Sequence, residues 1–139
     1  MILLDTNVVS EPLRPKPAQQ VIAWLDAQPA EILYLSSITV AELRAGVALL
    51  PEGKRRRLLH ENLENFILPM FTGRILPFDF SCTSAFAEIM ARARQTGQAI
   101  SAADSYIAAI AATSRFTVAT RDISPFEAAQ VPVVNPWEQ

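Results

Sequence analysis

Short apolar runs that halt at polar residues, separated by stretches with helical spacing, constrain this chain more than any other feature. Ile2-Leu3-Leu4 stops at Asp5-Thr6-Asn7, Ile32-Leu33-Tyr34-Leu35 stops at Ser36-Ser37, and Phe116-Thr117-Val118-Ala119 stops at Thr120-Arg121-Asp122. Runs this brief and this apolar read as strands buried on both faces. Arg74–Phe78, around Ile75-Leu76, and Val131–Val134 are two further strand candidates. Between them, apolar residues recur at three- and four-residue intervals: Val21, Ile22 and Leu25 after Pro17, and Val40, Leu43, Val47 and Leu50 within Thr39–Leu50. The same spacing places Leu58, Leu59, Leu63, Phe66 and Ile67 on one stripe of Lys54–Met70, and Ala85, Phe86, Ile89, Met90 and Ala93 on one stripe of Ser81–Thr96. A short helix over Val8–Leu13 closes at Pro15 and Pro17, and Ser101–Ser114 is an Ala-rich helix. Strands alternating with helices predict an α/β fold of three layers, α/β/α, with a central, mostly parallel sheet of about five strands. No repeat or low-complexity tract divides the 139 residues, so one domain over 1–139 is expected.

Composition excludes several kinds of chemistry. Cys82 is the only cysteine, which rules out an internal disulfide and a Cys-rich zinc site. No apolar run approaches the ~20 residues of a membrane span. Met1-Ile-Leu-Leu4 meets Asp5 without a basic segment or signal-peptide core, so a cytoplasmic protein away from membranes is expected. The glycines at 46, 53, 73 and 97 form neither a Walker A loop nor a GxGxxG turn. A Ser-His-Asp triad would need His60, the sole histidine, which lies among Arg57, Glu61 and Glu64 and reads as part of a solvated face. The net charge of −2 gives no footprint of a nucleic-acid binder, although ten of the twelve basic residues are arginine, the side chain suited to gripping phosphate or carboxylate.

Open parallel sheets bind ligands beyond the carboxyl ends of their strands, and that rule selects acids. Asp5 follows the first strand directly, and Asp122 follows Phe116–Ala119 by way of Thr120 and Arg121. Glu42 and Asp104 lie one turn into helices that start at the same edge. Each has a local reading as well. Thr39-x-x-Glu42 and Ser101-x-x-Asp104 fit capping boxes, Asp122 fits an Asx-turn, and Asp79 fits an N-cap. Asp5 abuts a buried strand, where an uncompensated charge is costly. Four carboxylates in one crevice repel, and a divalent cation removes the conflict. Oxygen ligands suit Mg²⁺ or Mn²⁺, which would activate water and stabilise charge on a phosphodiester.

In order along the chain, Ile2-Leu-Leu-Asp-Thr-Asn-Val8, Thr39-Val-Ala-Glu-Leu43, Ala102-Ala-Asp-Ser-Tyr-Ile-Ala-Ala109 and Val118-Ala-Thr-Arg-Asp122 resemble the acid-bearing motifs of PIN-domain ribonucleases. The closer likeness is to VapC-type toxins of bacterial toxin–antitoxin pairs, the FitB-like branch included, whose ending the tail Val131-Pro-Val-Val-Asn-Pro-Trp137 resembles. The resemblance implies a Mg²⁺- or Mn²⁺-dependent endoribonuclease, homodimeric and held inactive by a cognate antitoxin, in an assembly that reaches operator DNA through that antitoxin. It implies Asp5, Glu42, Asp104 and Asp122 as catalytic, metal-binding acids. Some relatives carry Asn at the last position, so for Asp122 the resemblance leaves open direct metal binding or the orienting of water. Thr6, Asn7 and Thr120 are implied as donors that fix carboxylate orientation.

Arg44 and Arg121 are candidate contacts to RNA phosphates or an antitoxin carboxylate, with solvation or pairing to a nearby Glu as the alternative. Lys54-Arg-Arg-Arg57 places positive charge at a helix start, where the dipole disfavours it, and reads as a solvated turn or an RNA grip. Trp24 and Phe66 read as core residues or as lining of an antitoxin groove. A competing reading makes the protein a catalytically silent binding module whose acidic crevice receives arginine from a partner. A phosphatase-like enzyme with Asp5 as nucleophile ranks lowest, since Asn7 stands where a second acid is wanted.

Overall fold

The computed structural model describes residues 1–139 and contains five strands, all parallel. They are β1 (Ile2–Leu4), β2 (Leu33–Ser36), β3 (Ile75–Leu76), β4 (Thr117–Ala119) and β5 (Val133–Val134), in the order β3-β2-β1-β4-β5. The helices are α1 (Thr6–Ser10), α2 (Gln19–Ala27), α3 (Ser37–Ala48), α4 (Lys54–Asn62), α5 (Thr83–Gln95), α6 (Ala102–Ser114) and α7 (Ser124–Ala128). The sheet has no antiparallel pair, because every strand-to-strand connection passes over a face and returns to the same edge.

The period of two along the strands divides the interior into two cores. Leu3, Val118, Tyr34 and Val133 point to one face, where they pack with Ile89 of α5, Ile107–Ala111 of α6, and Phe126 of α7. Leu4, Leu33, Leu35, Ala119 and Val134 point to the other, against Val8 and Val9 of α1, Val21 of α2, Val40 and Leu43 of α3, Leu63 and Phe71. A strand covered on both sides has no solvent face, which is why β1 and β4 carry no alternating polar residues.

Residues 54–70 depart from the continuous helix that their periodicity predicts. α4 ends at Asn62, a π-turn occupies Leu63–Ile67, and a 3-10 turn over Leu68–Phe71 carries Pro69 near its start. The π-turn inserts an extra residue per turn and rotates the apolar stripe, and Pro69 supplies no N–H to continue an α-helical ladder. Leu63 and Phe71 are consequently buried, while Leu58 and Phe66 face outward. Met90, expected on the inner stripe of α5, is also exposed.

β1 sits at the centre of the sheet, with β2 on one side and β4 on the other. The chain builds outward from it first through β2 to β3, then crosses back to β4 and β5. The order reverses at β1, so the crevice beyond its carboxyl end is the topological switch point of the fold. Leu35 is fully buried beside it, whereas Ile75 on the edge strand is 37% exposed. Leu35→Ala is expected to destabilise the fold by about 2–5 kcal/mol in urea unfolding, and Ile75→Ala by less than about 1 kcal/mol.

Candidate active site

β1 delivers Asp5 into this crevice, still tied to the sheet: its N–H donates to the Ala119 carbonyl at 2.9 Å. The carboxylate is buried and accepts two hydrogen bonds, from the Thr6 N–H to Oδ1 at 2.8 Å and from the Thr120 hydroxyl to Oδ2 at 2.9 Å. Thr120 is fully buried and acts as a hub. Its Oγ1 accepts from Asn7 Nδ2 at 3.3 Å and from the Asp122 N–H at 3.1 Å. Asn7 in turn accepts the Arg121 N–H on Oδ1 at 3.2 Å. The loop after β4 is thus laced onto the turn after β1.

β2 feeds α3, which brings Glu42. Ser36 is the N-cap, its hydroxyl accepting the Thr39 N–H at 3.0 Å, so Thr39 lies inside the helix and does not form a capping box with Glu42. Starting the helix at Ser37 carries Glu42 into the second turn, where its Oε1 accepts the Thr6 hydroxyl at 2.6 Å. Asp104 lies in the first turn of α6, capped by Ser101, whose hydroxyl accepts the Asp104 N–H at 3.1 Å. Only the backbone of Asp104 takes part in that cap; its half-buried carboxylate makes no reciprocal bond to Ser101.

Asp5, Glu42 and Asp104 come together. Burial pushes the Asp5 carboxyl up to about 6, the bonds from Thr120 and Thr6 oppose the rise, and the negative charges of Asp104 and Glu42 add to it. Asp122 stands at the exposed rim, joined to the others through its backbone. None of the four acids has a basic partner, since the two ion pairs of the structure are Arg14–Glu11 and Arg44–Glu64. No three acidic, histidine or cysteine side chains close into a ready metal-ligand cluster.

For Arg44 the structure takes the alternative reading, pairing with a nearby Glu, and Arg121 lies beside the site through its backbone. Arg44 does not flank the crevice: two residues past Glu42 on α3, it points to a different side of the helix and grips Glu64 with Nε and Nη2 at 3.1 and 2.8 Å. Arg121 stacks its guanidinium over the Trp137 ring, 5.1 Å from the centroid. Asp79 does cap, accepting the Ser81 N–H at 3.0 Å, and the exposed His60 lies on α4. The Ser36 cap is not singled out by the sequence, because Ser36, Ser37 and Thr39 are all competent N-caps. Nor does any sequence signal mark the burial of Glu11, which is held by Arg14 across one helical turn.

Residues 2–131 match the PIN domain in a comparison with known protein families. The chain belongs to the PIN-domain family. It is 61% identical over 138 residues to the plasmid stability protein StbB of Pseudomonas syringae pv. tomato, covering 99% of both chains. It is 54% identical over 138 residues, again covering 99% of both, to the VapC ribonuclease Y4jK of Sinorhizobium fredii. Among solved structures, the crystal structure of FitAcB from Neisseria gonorrhoeae superposes with a TM-score of 0.97 at 58% identity over the whole of both chains.

In this PIN domain the raised Asp5 has a consequence for stability. Its carboxyl holds a proton up to about pH 6 when folded, against an ordinary value of 3.8. Between those pH values the folded form binds more protons than the unfolded chain, so stability falls as pH rises through that window. The loss is of order 2–3 kcal/mol once the window is passed. Asp5→Asn removes the titrating group. In chelator-containing buffer its stability relative to wild type is expected to rise from pH 4 to pH 7, measured by urea unfolding at each pH; a relative stability independent of pH would contradict the assignment.

Proposed function

We propose that this PIN domain is a metal-dependent endoribonuclease, the toxin of a toxin–antitoxin pair, which hydrolyses phosphodiester bonds in RNA. The observation that carries the reading is a buried carboxylate, Asp5, facing two further acids with no cation of the protein's own to balance them. A stability-driven sequence would pair or remove such a group, since an unpaired buried charge is costly. Retaining it makes sense where an external cation completes the site.

The donor set fits Mg²⁺ or Mn²⁺. It offers carboxylate and hydroxyl oxygens, with no thiol or imidazole, and hard cations take oxygen ligands. The lack of a closed protein cage is compatible with an ion that keeps several waters and takes substrate phosphate oxygens. Asp5, Glu42 and Asp104 would hold the ion, with Asp122 at the rim as a fourth ligand or as the group that orients water. When bound, the ion supplies an activated water and charge neutralisation at the phosphodiester.

The chain's own residues do the positioning. Thr6 N–H and the Thr120 hydroxyl occupy one lone pair on each Asp5 oxygen and fix the plane of the carboxylate. The Thr6 hydroxyl does the same for Glu42. Asn7 holds Thr120 and the Arg121 backbone at once, so the Asp122 loop keeps its distance from Asp5. Such outer-shell bonds set ligand orientation and basicity.

The relatives support the biological role: one is named a VapC ribonuclease, and the FitAcB structure bears a FitA component by name. The partner of this chain is accordingly proposed to be a cognate antitoxin, which holds a homodimeric toxin inactive and carries the assembly to operator DNA. Cleavage of total RNA by purified, antitoxin-free protein is expected with Mg²⁺ or Mn²⁺ and absent with EDTA. Asp5→Asn and Asp104→Asn are each expected to lower the rate by about 10²-fold or more, the scale of losing one electrostatic stabiliser. Metal-independent cleavage that survives Asp5→Asn would overturn the reading. Full antitoxin binding with no cleavage under any metal condition would favour a silent binding module.

A further inference from the structure

The C-terminal tail closes back on the site. β5 pairs with β4, and the Thr120 N–H donates to the Val134 carbonyl at 3.0 Å. Asn135 then caps a final 3-10 turn, Pro136–Glu138, by accepting the Trp137 N–H on Oδ1 at 2.9 Å. Gln20 of α2 donates its side-chain amide to the Trp137 carbonyl, and the Trp137 ring packs against the core on that face. The indole is therefore held by its backbone, by α2 and by the core, and on it rests the Arg121 guanidinium.

Arg121 has no carboxylate partner. Its side chain is spent on an aromatic face, while its backbone N–H is spent on Asn7. From Trp137 the contacts run without a gap: ring to Arg121 guanidinium, Arg121 N–H to Asn7 Oδ1, Asn7 Nδ2 to Thr120 Oγ1, Thr120 Oγ1 to Asp5 Oδ2. An exposed cation–π contact adds little to global stability. Its effect is local: it restrains the loop between β4 and α7, residues 120–123, on which both Thr120 and Asp122 lie. We propose that the Trp137–Arg121 stack is a positioning device that keeps the Thr120 hydroxyl on Asp5 and Asp122 at the rim, and so sets the affinity of the acidic crevice for a divalent ion. The proposal rests on the metal-site part of the functional reading and not on the identity of the RNA.

The test is Mn²⁺ binding by isothermal titration calorimetry, with full-length wild type, Trp137→Ala, Arg121→Ala, the double variant and Trp137→Phe, and with Asp5→Asn as the control for a lost site. Thermal melts of each protein accompany the titrations. Each single alanine variant is expected to weaken Mn²⁺ binding several-fold, short of the ~10–100-fold typical of losing a group that touches a ligand directly. The double variant is expected to be no weaker than the singles, because both remove one contact. Trp137→Phe, which keeps a ring face, is expected to restore most of the affinity. Unchanged affinity in folded Trp137→Ala and Arg121→Ala would overturn the device and leave the metal site standing. Losses that simply follow the melting temperature, with no recovery in Trp137→Phe, would overturn it too. A wild type that binds no Mn²⁺ would remove the metal site itself and the device with it. Arg121→Ala leaves the core untouched, so the test stands even where Trp137→Ala folds poorly.

Discussion

A carboxylate held out of water beside two others, with no basic residue to answer it, is the constraint around which the rest of this molecule is arranged. Asp5 cannot retreat to solvent, because it is the first residue past the central strand and its N–H is bonded to β4. What makes the position tolerable is local: a backbone N–H from Thr6, a hydroxyl from Thr120, and partial protonation, with the carboxyl displaced to about 6. These interactions reduce the penalty without cancelling it, because Glu42 and Asp104 still push in the same direction. The fold supplies the rigidity for this arrangement through two cores, one on each face of an all-parallel sheet.

The use of arginine sharpens the point. Ten arginines are available, yet the two ion pairs they form serve Glu11 and Glu64, outside the crevice. Arg121, the neighbour of Asp122 in sequence, forms no ion pair with it and lies on Trp137. No arginine forms an ion pair with Asp5, Glu42, Asp104 or Asp122, although Arg14 and Arg55 line a cavity together with Glu42.

The architecture was legible because its signals are short-range and redundant. Three apolar runs ending in Asp5, Ser36 and Thr120 mark β1, β2 and β4, and the rule for open parallel sheets then places Asp5, Glu42, Asp104 and Asp122 at one edge without knowledge of side-chain geometry. Finer detail escaped where several local solutions compete. Ser36, Ser37 and Thr39 offered equivalent caps, and only the end of β2 decides among them. Residues 54–70 have an unbroken helical period, but the π-turn at Leu63–Ile67 shifts its phase, and Phe66 within that turn is left outside. Arg44 sits two residues from Glu42, and helical geometry sends the two side chains to different faces, a separation that nearness in sequence conceals. The Arg121–Trp137 stack joins residues from separate loops, and no pattern in either segment announces it.

The central claim is that the acidic edge exists to hold a hard divalent cation. Its most direct test is anomalous diffraction from crystals of the protein soaked in Mn²⁺. An anomalous peak is expected in the crevice, within coordination distance of Asp5 and of Glu42 or Asp104, and it should vanish in Asp5→Asn crystals treated alike. A crevice without a peak at high Mn²⁺, or a peak there that persists unchanged in Asp5→Asn, would contradict the account.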